Sequence, residues 1–223
     1  MSFKILYVTA TIAEAGVLAE NAGIMSDVTR PRKLELSQLV TGVGSVSTAW
    51  ALNHWITING SPDLAINGGI AGSYRDDLVP GDVVMPVSDC FADAGIEDGN
   101  NFLTLSDAGF IGTDEFPYMD GLLYTDIKYR NKLKGLLNQV RAITLNTATG
   151  SEITREKLLK KFNPDIETME GATFFYICSR ENIPFLALRA ISNRVGARNK
   201  SEWEIDLAVN NLTEKLRDVL LTL

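Results

Sequence analysis

Six short apolar runs rich in β-branched residues constrain the fold of this 223-residue chain more than any other feature. They cover residues 5–9, 36–40, 64–67, 83–87, 142–146 and 185–191. Most of them lack the polar alternation of a strand with one face in water, so we expect strands buried on both faces. Helices must then cover both sides of the sheet, which is typical of an α/β protein.

Helical patterns lie between and after these runs. Residues 45–58 carry Ala49, Leu52 and Ile56 at helical spacing, and the stop signal Asn59-Gly60-Ser61-Pro62 follows them. Further helices are predicted over 14–21, 126–139, 154–162, 170–181 and 205–223. Residues 90–123, rich in glycine and aspartate, are predicted to form a long irregular excursion, which is often functional. We expect a single-domain, three-layer α/β/α fold with a mixed central sheet over residues 1–223, because no linker divides the chain.

Composition narrows the classes of ligand. The net charge is −7 and the basic residues are scattered, which argues against nucleic-acid binding. The sequence shows no signal-peptide layout and no membrane-spanning stretch, so we expect a cytoplasmic protein. Cys90, Cys178 and the single histidine, His54, suggest neither a disulfide framework nor a metal cluster. We expect a small-molecule ligand without metal or cofactor, and a structural role for His54 on helix 45–58.

Ligands of open α/β sheets bind at the carboxyl ends of strands. Glu14 follows the first strand and is either a catalytic base or an ordinary first-turn glutamate. Residues 40–44 resemble the start of a dinucleotide fingerprint, but Ser47 occupies the third glycine position, so we interpret them as a tight turn without a nicotinamide cofactor. Residues 67–72 hold three glycines and either let a flat ligand lie against bare backbone or form a loop at positive φ.

Two later motifs carry a family resemblance. Met169-Glu170-Gly171-Ala172 opens a predicted helix, and Arg189-Ala190-Ile191-Ser192-Asn193 ends a buried strand. Both resemble the nucleoside phosphorylase and nucleosidase superfamily, and the glycine segment followed by Pro80-Gly81-Asp82-Val83-Val84 matches that family's order over nearly the whole chain. Residues 191–205 are similar to the futalosine hydrolase branch.

The resemblance implies roles for individual residues. Glu14 matches the family's water-activating glutamate, Glu170 its ribose-binding glutamate, and Met169 offers the sugar an apolar surface. The alternative for Met169 and Glu170 is a helix start with one core residue and one solvated charge. Asn193 occupies the position of an aspartate that protonates purine N7 in methylthioadenosine-type nucleosidases. An amide can donate to O6 of a 6-oxopurine and accept from a protonated N7, which favours hypoxanthine as the leaving group.

The nucleophile is expected to be water. Phosphorylases of the superfamily hold phosphate with arginines and a serine, whereas this chain has no arginine before Arg30, Asn67 in place of the loop arginine and Ile70 in place of the serine. The substrate-binding residues implied by the resemblance are Glu170, Met169, Gly69, Ile70, Ala71, Gly72, Gly150, Glu152, Ile153, Ser192, Arg194, Arg198 and Trp203.

Futalosine also carries a benzoate. Arg194 or Arg198 could pair with its carboxylate and Trp203 or Phe91 could flank its ring, although Arg194, Arg198 and Lys200 could equally be solvated loop charges. The sequence thus predicts a hydrolase that releases hypoxanthine from futalosine in menaquinone biosynthesis. The alternatives are a methylthioadenosine or adenosylhomocysteine nucleosidase and a non-catalytic nucleoside-binding relative. Members of the family associate near the active site, so a homo-oligomer, taken to be a dimer, is expected.

Overall fold

The computed structural model describes residues 2–15, 34–99, 101–197 and 199–223. Its strands, numbered along the chain, are β1 Phe3–Thr9, β2 Leu34–Val40, β3 Leu64–Ser73, β4 Val83–Asp89, β5 Gly95–Asp98, β6 Asn101–Thr104, β7 Leu123–Tyr124, β8 Asn138–Thr144, β9 Ile166–Thr168 and β10 Phe185–Arg194. Its helices are α1 Ile12–Ala15, α2 Ser45–Asn59, α3 Ile127–Lys132, α4 Glu152–Phe162, α5 Gly171–Arg180 and α6 Ile205–Thr222. A 3-10 turn spans Lys200–Glu202.

The main sheet is mixed and runs in the order β10-β4-β8-β9-β3-β1-β2, with β7 on β4. Strand β10 also pairs with β3, so five strands of this sheet close into a ring. Strands β1, β3 and β10 are parallel neighbours, and their carboxyl ends meet at one edge. This edge is where the predicted site residues lie.

Helices cover both faces of the sheet. On one face α6 and α3 pack on the strands through Leu212, Leu216 and Tyr129. On the other face α2 and α5 pack through Leu52, Phe174 and Phe175. The three-layer α/β/α architecture with a mixed sheet is therefore confirmed. In the described part of the chain, no helix combines the length and the apolar character needed to cross a membrane.

One helix prediction needs correction, and another is only partly covered by the described residues. The helix predicted over 126–139 ends at Lys132, because Gly135 takes a positive φ of 92° and turns the chain into β8, which begins at Asn138. The helix predicted over 14–21 is observed as α1, Ile12–Ala15, and residues 16–21 lie outside the described residues.

The observed strands also differ from the predictions at three places. The segment 90–123 contains the hairpin formed by β5 and β6. Strand β9 was not predicted, since three residues carry no periodicity. Strand β2 lies at the edge of the sheet with alternating exposed and half-buried residues, so it is not buried on both faces.

The glycine segment 67–72 is part of β3, so the alternative of a loop at positive φ is wrong. Its glycines allow close packing instead of positive φ. A Cβ on Gly68 would overlap with the buried Tyr7 ring. A Cβ on Gly69 would lie 3.0 Å from Glu14 Oε1, and one on Gly72 would lie 2.8 Å from Val195 Cγ2. Bare backbone at these positions lets side chains of other segments reach the strand.

Candidate functional site

Glu14 is buried at the carboxyl end of β1, and both of its carboxylate oxygens are held by donors. Oε2 accepts hydrogen bonds from the Thr11 backbone N–H at 2.9 Å and the Thr11 hydroxyl at 2.7 Å. Oε1 accepts from the Ile70 backbone N–H at 3.0 Å. The absence of a side chain on Gly69 leaves room for this approach. The carboxylate is therefore fixed beside β3, and no side-chain cation among residues 2–15, 34–99, 101–197 and 199–223 is bonded to it.

Glu170 lies at the N-terminus of α5 and reaches across to the N-terminus of α2. Its Oε1 accepts a hydrogen bond from Gly44 N–H at 2.9 Å. Gly44 has a positive φ of 90°, which directs its N–H toward Glu170, and the turn before it is held by Gly42 N–H donating to Ala10 O at 3.0 Å. The tight turn predicted at residues 40–44 thus supplies a donor to the site. Met169, beside Glu170, is half-buried.

Arg189 supplies a fully buried positive charge beneath the site. Its guanidinium donates to the backbone oxygens of Asn67 and Leu188, each at 2.9 Å, and to the Asn67 side-chain oxygen. Burial lowers the pKa of Arg189, and the negative charges of Glu170, Asp89 and Glu14 oppose that shift. The cation offsets the repulsion between carboxylates gathered at one end of the sheet.

The pKa of Glu170 is raised from its usual value, mainly because the side chain is desolvated. The charge of Glu14 acts in the same direction, while the Gly44 N–H and Arg189 oppose the shift. Glu14 and Glu170 are therefore electrostatically coupled members of one cluster.

Asn193 lies beside Gly72 at a bulge in β10. Its Nδ2 donates to Arg194 O at 2.9 Å, and its Oδ1 accepts from the Ser192 hydroxyl at 2.7 Å. A backbone carbonyl only accepts hydrogen bonds, so the contact with Arg194 O determines which end of the amide is nitrogen. Among the described residues, no further partner is bonded to the second N–H or to the remaining lone pair of Oδ1. The side chain is half-buried, in contrast to the fully buried Ser192.

The remaining predicted residues lie on segments bonded to β9 and to the chain after β10, and we call these segments the rim. The loop before α4 contains Gly150 and is attached to β9 by Thr149 N–H, which donates to Glu167 Oε1 at 2.9 Å. Glu152 Oε1 accepts from Ala197 N–H at 3.3 Å, so the start of α4 approaches the segment after β10. The Ile153 side chain is 71% exposed.

Arg194 and Trp203 are the predicted residues for the benzoate group. The Arg194 guanidinium is 59% exposed and forms an ion pair with Asp76. Trp203 is half-buried, and its neighbour Glu204 donates its N–H to Ser192 O at 2.9 Å, which holds this segment near the end of β10. Arg198 lies outside the described residues. Phe91 packs edge-on against Tyr176 with ring centroids 6.5 Å apart, in the core cluster of α2 and α5.

The structure thus brings Glu14, residues 69–72 and Asn193 together along β3, and places Glu170 within electrostatic range of Glu14. The sequence reasoning missed Gly44, Arg189 and the fully buried Asp89. The sequence does hold a signal for Arg189. A charged residue inside an otherwise apolar strand needs buried partners, so a polar cluster around it could have been predicted. No metal-binding group of three or more His, Cys, Asp or Glu side chains occurs among residues 2–15, 34–99, 101–197 and 199–223.

Comparisons with known proteins identify the family of this chain. Residues 32–223 match the model of the phosphorylase superfamily. A futalosine hydrolase from Streptomyces coelicolor is 32% identical over 192 residues, which cover 82% of this chain and 78% of that protein. A 5'-methylthioadenosine/S-adenosylhomocysteine nucleosidase from Buchnera aphidicola is 26% identical over 200 residues, covering 85% and 80% of the two chains.

The solved structures support the same fold. The structure of a 5'-methylthioadenosine/S-adenosylhomocysteine nucleosidase from Helicobacter pylori superposes with a TM-score of 0.82 at 17% identity, and both chains are fully covered. Because the family model spans most of the sequence and the relatives cover most of both chains, the chain belongs to the phosphorylase superfamily and, within it, to the purine nucleosidases, which are hydrolases.

Proposed function

We propose that this protein hydrolyses the N-glycosidic bond of futalosine and releases hypoxanthine and dehypoxanthine futalosine, a step of menaquinone biosynthesis. The observation that carries the choice of substrate is the orientation of the Asn193 amide. Its free N–H suits O6 of a 6-oxopurine, and its remaining lone pair suits a protonated N7. The 6-amino group of adenine would instead direct an N–H toward the amide N–H. The 32% identity to a futalosine hydrolase supports the same choice.

In the proposed mechanism, Glu14 accepts a proton from the water that attacks the anomeric carbon as the bond to the purine breaks, and the departing hypoxanthine takes a proton from solvent at N7. Three donors fix the Glu14 carboxylate against Thr11 and Ile70, so the base needs little rearrangement before it acts. Glu170 accepts hydrogen bonds from the ribose hydroxyls, and its bond to Gly44 N–H leaves Oε2 for that contact. Positive charge develops on the sugar in the transition state, and two nearby carboxylates stabilise it.

Water rather than phosphate is the proposed nucleophile. The Ile70 side chain packs toward the apolar core on the α6 side. The Asn67 side chain is occupied by Val8 O and Arg189. The strand 67–72 therefore offers phosphate no free side-chain donor, and leaving phosphate oxygens unpaired in a buried site costs about 1–3 kcal/mol each.

The experiment that tests the proposal measures base release from futalosine and from 5'-methylthioadenosine, each with and without phosphate. Hypoxanthine from futalosine at a rate independent of phosphate is expected. Adenine release from methylthioadenosine alone would refute the role of Asn193 and favour the activity of the Buchnera relative. Binding of both nucleosides without release of either base would indicate a non-catalytic binding protein.

A substitution sharpens the test of specificity. Asn193→Asp replaces the N–H donor with an acceptor, so the futalosine kcat/KM should fall about tenfold to a hundredfold, the range for a lost hydrogen bond near a charge. Release of adenine from methylthioadenosine should rise. Asn210→Asp, at an exposed position on α6, is a matched control that should change neither rate. An unchanged preference in Asn193→Asp contradicts the assignment.

We also propose that two copies of the chain associate through one side of α2. Val46, Trp50 and Ile58 repeat along that side at helical spacing, and their side chains are 82%, 69% and 66% exposed. His54 lies between them and stacks on Trp50, with ring centroids 5.0 Å apart. Such a stripe can pair with its own copy across a two-fold axis. Sedimentation analysis should give a dimer that Trp50→Glu converts to a monomer, and an unchanged mass would reject this interface.

A further inference from the structure

Helix α5 begins without the side-chain cap that its first residue would ordinarily supply. Glu170 occupies the N-cap position, where a side-chain oxygen, most often that of Ser, Thr, Asp or Asn, accepts from the first N–H groups of the helix. Here Glu170 makes no such bond and extends to Gly44 instead. Some other group must satisfy the first N–H groups of α5, since they are buried.

Two threonines from neighbouring strands supply that cap. Thr168 Oγ1, at the end of β9, accepts from Gly171 N–H at 3.2 Å. Thr144 Oγ1, at the end of β8, accepts from Ala172 N–H at 2.7 Å. The two hydroxyls lie 3.2 Å apart, and all of these contacts are buried. The first two N–H groups of α5 therefore donate to side chains of residues outside the helix.

The threonine hydroxyls need an acceptor for their own protons, and Asp89 provides it. Thr144 Oγ1 donates to Asp89 Oδ1 at 3.0 Å, and the same oxygen accepts from Cys90 N–H at 2.8 Å. Each threonine oxygen already accepts a hydrogen bond from a helix N–H. The Thr168 hydroxyl can therefore donate to Thr144 Oγ1, and the Thr144 hydroxyl donates to Asp89 Oδ1. Asp89 lies at the end of β4 and is 1% exposed, so this series of hydrogen bonds ends at an acceptor in the protein interior.

Asp89 also contacts α5 directly. Its Oδ2 has no hydrogen-bond partner among the described residues and lies against Gly171, where any Cβ would overlap with it. Burial raises the pKa of Asp89 to about 7. A proton carried on Oδ2 leaves Oδ1 free to accept from Thr144 and Cys90, so the same bonds persist in either protonation state.

We infer that Asp89, Thr144 and Thr168 are positioning residues that cap α5 in place of Glu170 and so keep the Glu170 carboxylate directed into the active site. This inference rests on the proposed contact between Glu170 and the ribose. If the threonine cap is removed, the first N–H groups of α5 become the nearest donors for Glu170, and its carboxylate turns back toward its own helix.

The test is a double-mutant cycle on futalosine hydrolysis by the full chain. Thr144→Val removes the hydroxyl at nearly constant volume, and kcat/KM should fall about tenfold or more, as for a lost hydrogen bond to a charged group. In a Glu170→Ala background, Thr144→Val should lower kcat/KM by less than about twofold, because no carboxylate remains to be positioned. Thr144→Ser keeps the hydroxyl and should restore most of the activity.

A control separates positioning from general destabilisation. Thr125 is buried like Thr144, and its hydroxyl donates to Pro86 O at 2.9 Å, but it does not cap α5. Thr125→Val should lower the unfolding temperature without lowering kcat/KM. If Thr144→Val does not fold, Thr168→Val takes its place in the cycle, because it removes the other half of the cap.

The outcomes distinguish this inference from the proposed function. If Glu170→Ala alone leaves kcat/KM unchanged, the role proposed for Glu170 is wrong. If Glu170→Ala is damaging but Thr144→Val and Thr168→Val have no effect, or have equal effects in both backgrounds, the positioning role is overturned while the function of Glu170 stands.

Discussion

The two ends of the candidate site differ in how their polar side chains are held. At the inner end, Glu14 and Glu170 accept hydrogen bonds from backbone N–H groups of β3 and the α2 turn, and Arg189 lies fully buried beneath them. At the rim, Arg194 is exposed and pairs with Asp76, another exposed residue. The side chains at the inner end are thus fixed by hydrogen bonds within the protein. At the rim, Arg194 would have to leave Asp76 in order to bind a substituent of the proposed substrate.

This contrast fits a division of labour in the proposed enzyme. Bond cleavage depends on groups held by a rigid sheet, because preorganised charges act without reorganisation at the moment of reaction. Recognition of the substituent on the sugar depends on solvated charges, whose contributions are small. Substitutions at the inner end should therefore have larger effects than substitutions at the rim.

Glu14→Gln should have the largest effect. The amide keeps the size of the side chain but cannot accept a proton from water, so kcat should fall by about 10²–10⁴. Substrate binding, measured by titration calorimetry, should be retained. Glu156→Gln, an exposed change on α4, serves as the control. Turnover at the normal rate in Glu14→Gln would exclude Glu14 as the base.

Gly171→Ala should lower both stability and activity. The added Cβ overlaps with Asp89 Oδ2 beneath α5, and relief requires a shift of buried backbone, at a cost of about 1–3 kcal/mol in the free energy of unfolding. Urea denaturation measures the loss. Gly150→Ala is the stability control, since its Cβ would meet nothing within 4 Å and its φ is not positive. Equal stability of the two variants would show that the contact with Asp89 is unimportant.

The stability of the wild type should depend on pH through Asp89. Folding raises the pKa of this carboxyl to about 7, from about 4 in the unfolded chain. Between these values the folded state binds more protons than the unfolded state, so the free energy of unfolding falls as pH rises, by at most about 1.4 kcal/mol per pH unit for this group.

Asp89→Asn isolates that contribution. The variant does not titrate at this position, so its unfolding free energy should decline less between pH 4 and about 7. Glu170 also has a raised pKa and contributes a fall of the same sign in both proteins. The charge of Arg189 faces Asp89 and opposes the shift. Parallel pH curves for wild type and Asp89→Asn would mean that Asp89 is ionised throughout this range.

Arg194→Ala should have the smallest effect and tests the rim. Its exposed ion pair with Asp76 should contribute no more than about 1 kcal/mol to stability. If Arg194 binds the benzoate carboxylate, KM for futalosine should rise a few-fold with kcat unchanged, because the contact lies far from the reacting bond. Any hydrolysis of methylthioadenosine, which has no carboxylate, should be unaffected. An unchanged KM for futalosine would leave Arg194 as a surface charge.

Much of the architecture was predictable because it depends on local patterns. The buried runs at 5–9, 64–67 and 185–191 became β1, β3 and β10, and the helix at 45–58 became α2 within one residue. The errors arose where tertiary contacts override such patterns. The three glycines of residues 67–72 left a loop open as an alternative, yet the segment continues β3, because the glycines leave room for Tyr7, Glu14 and Val195. Strand β9 is stabilised by its neighbours β8 and β3.

The sequence by itself determined the family, the nature of the chemistry-bearing side chains and the order in which strands present them, since motifs and periodicity are properties of neighbouring residues. Only the tertiary structure decided how those side chains are held. Asp89, Thr144 and Ala172 are separated by 55 and 28 residues along the chain, and they meet because β4 and β8 end where α5 begins. Hydrogen bonds between such distant residues leave no periodic signal, so the support of Glu170 could be found only in the folded chain.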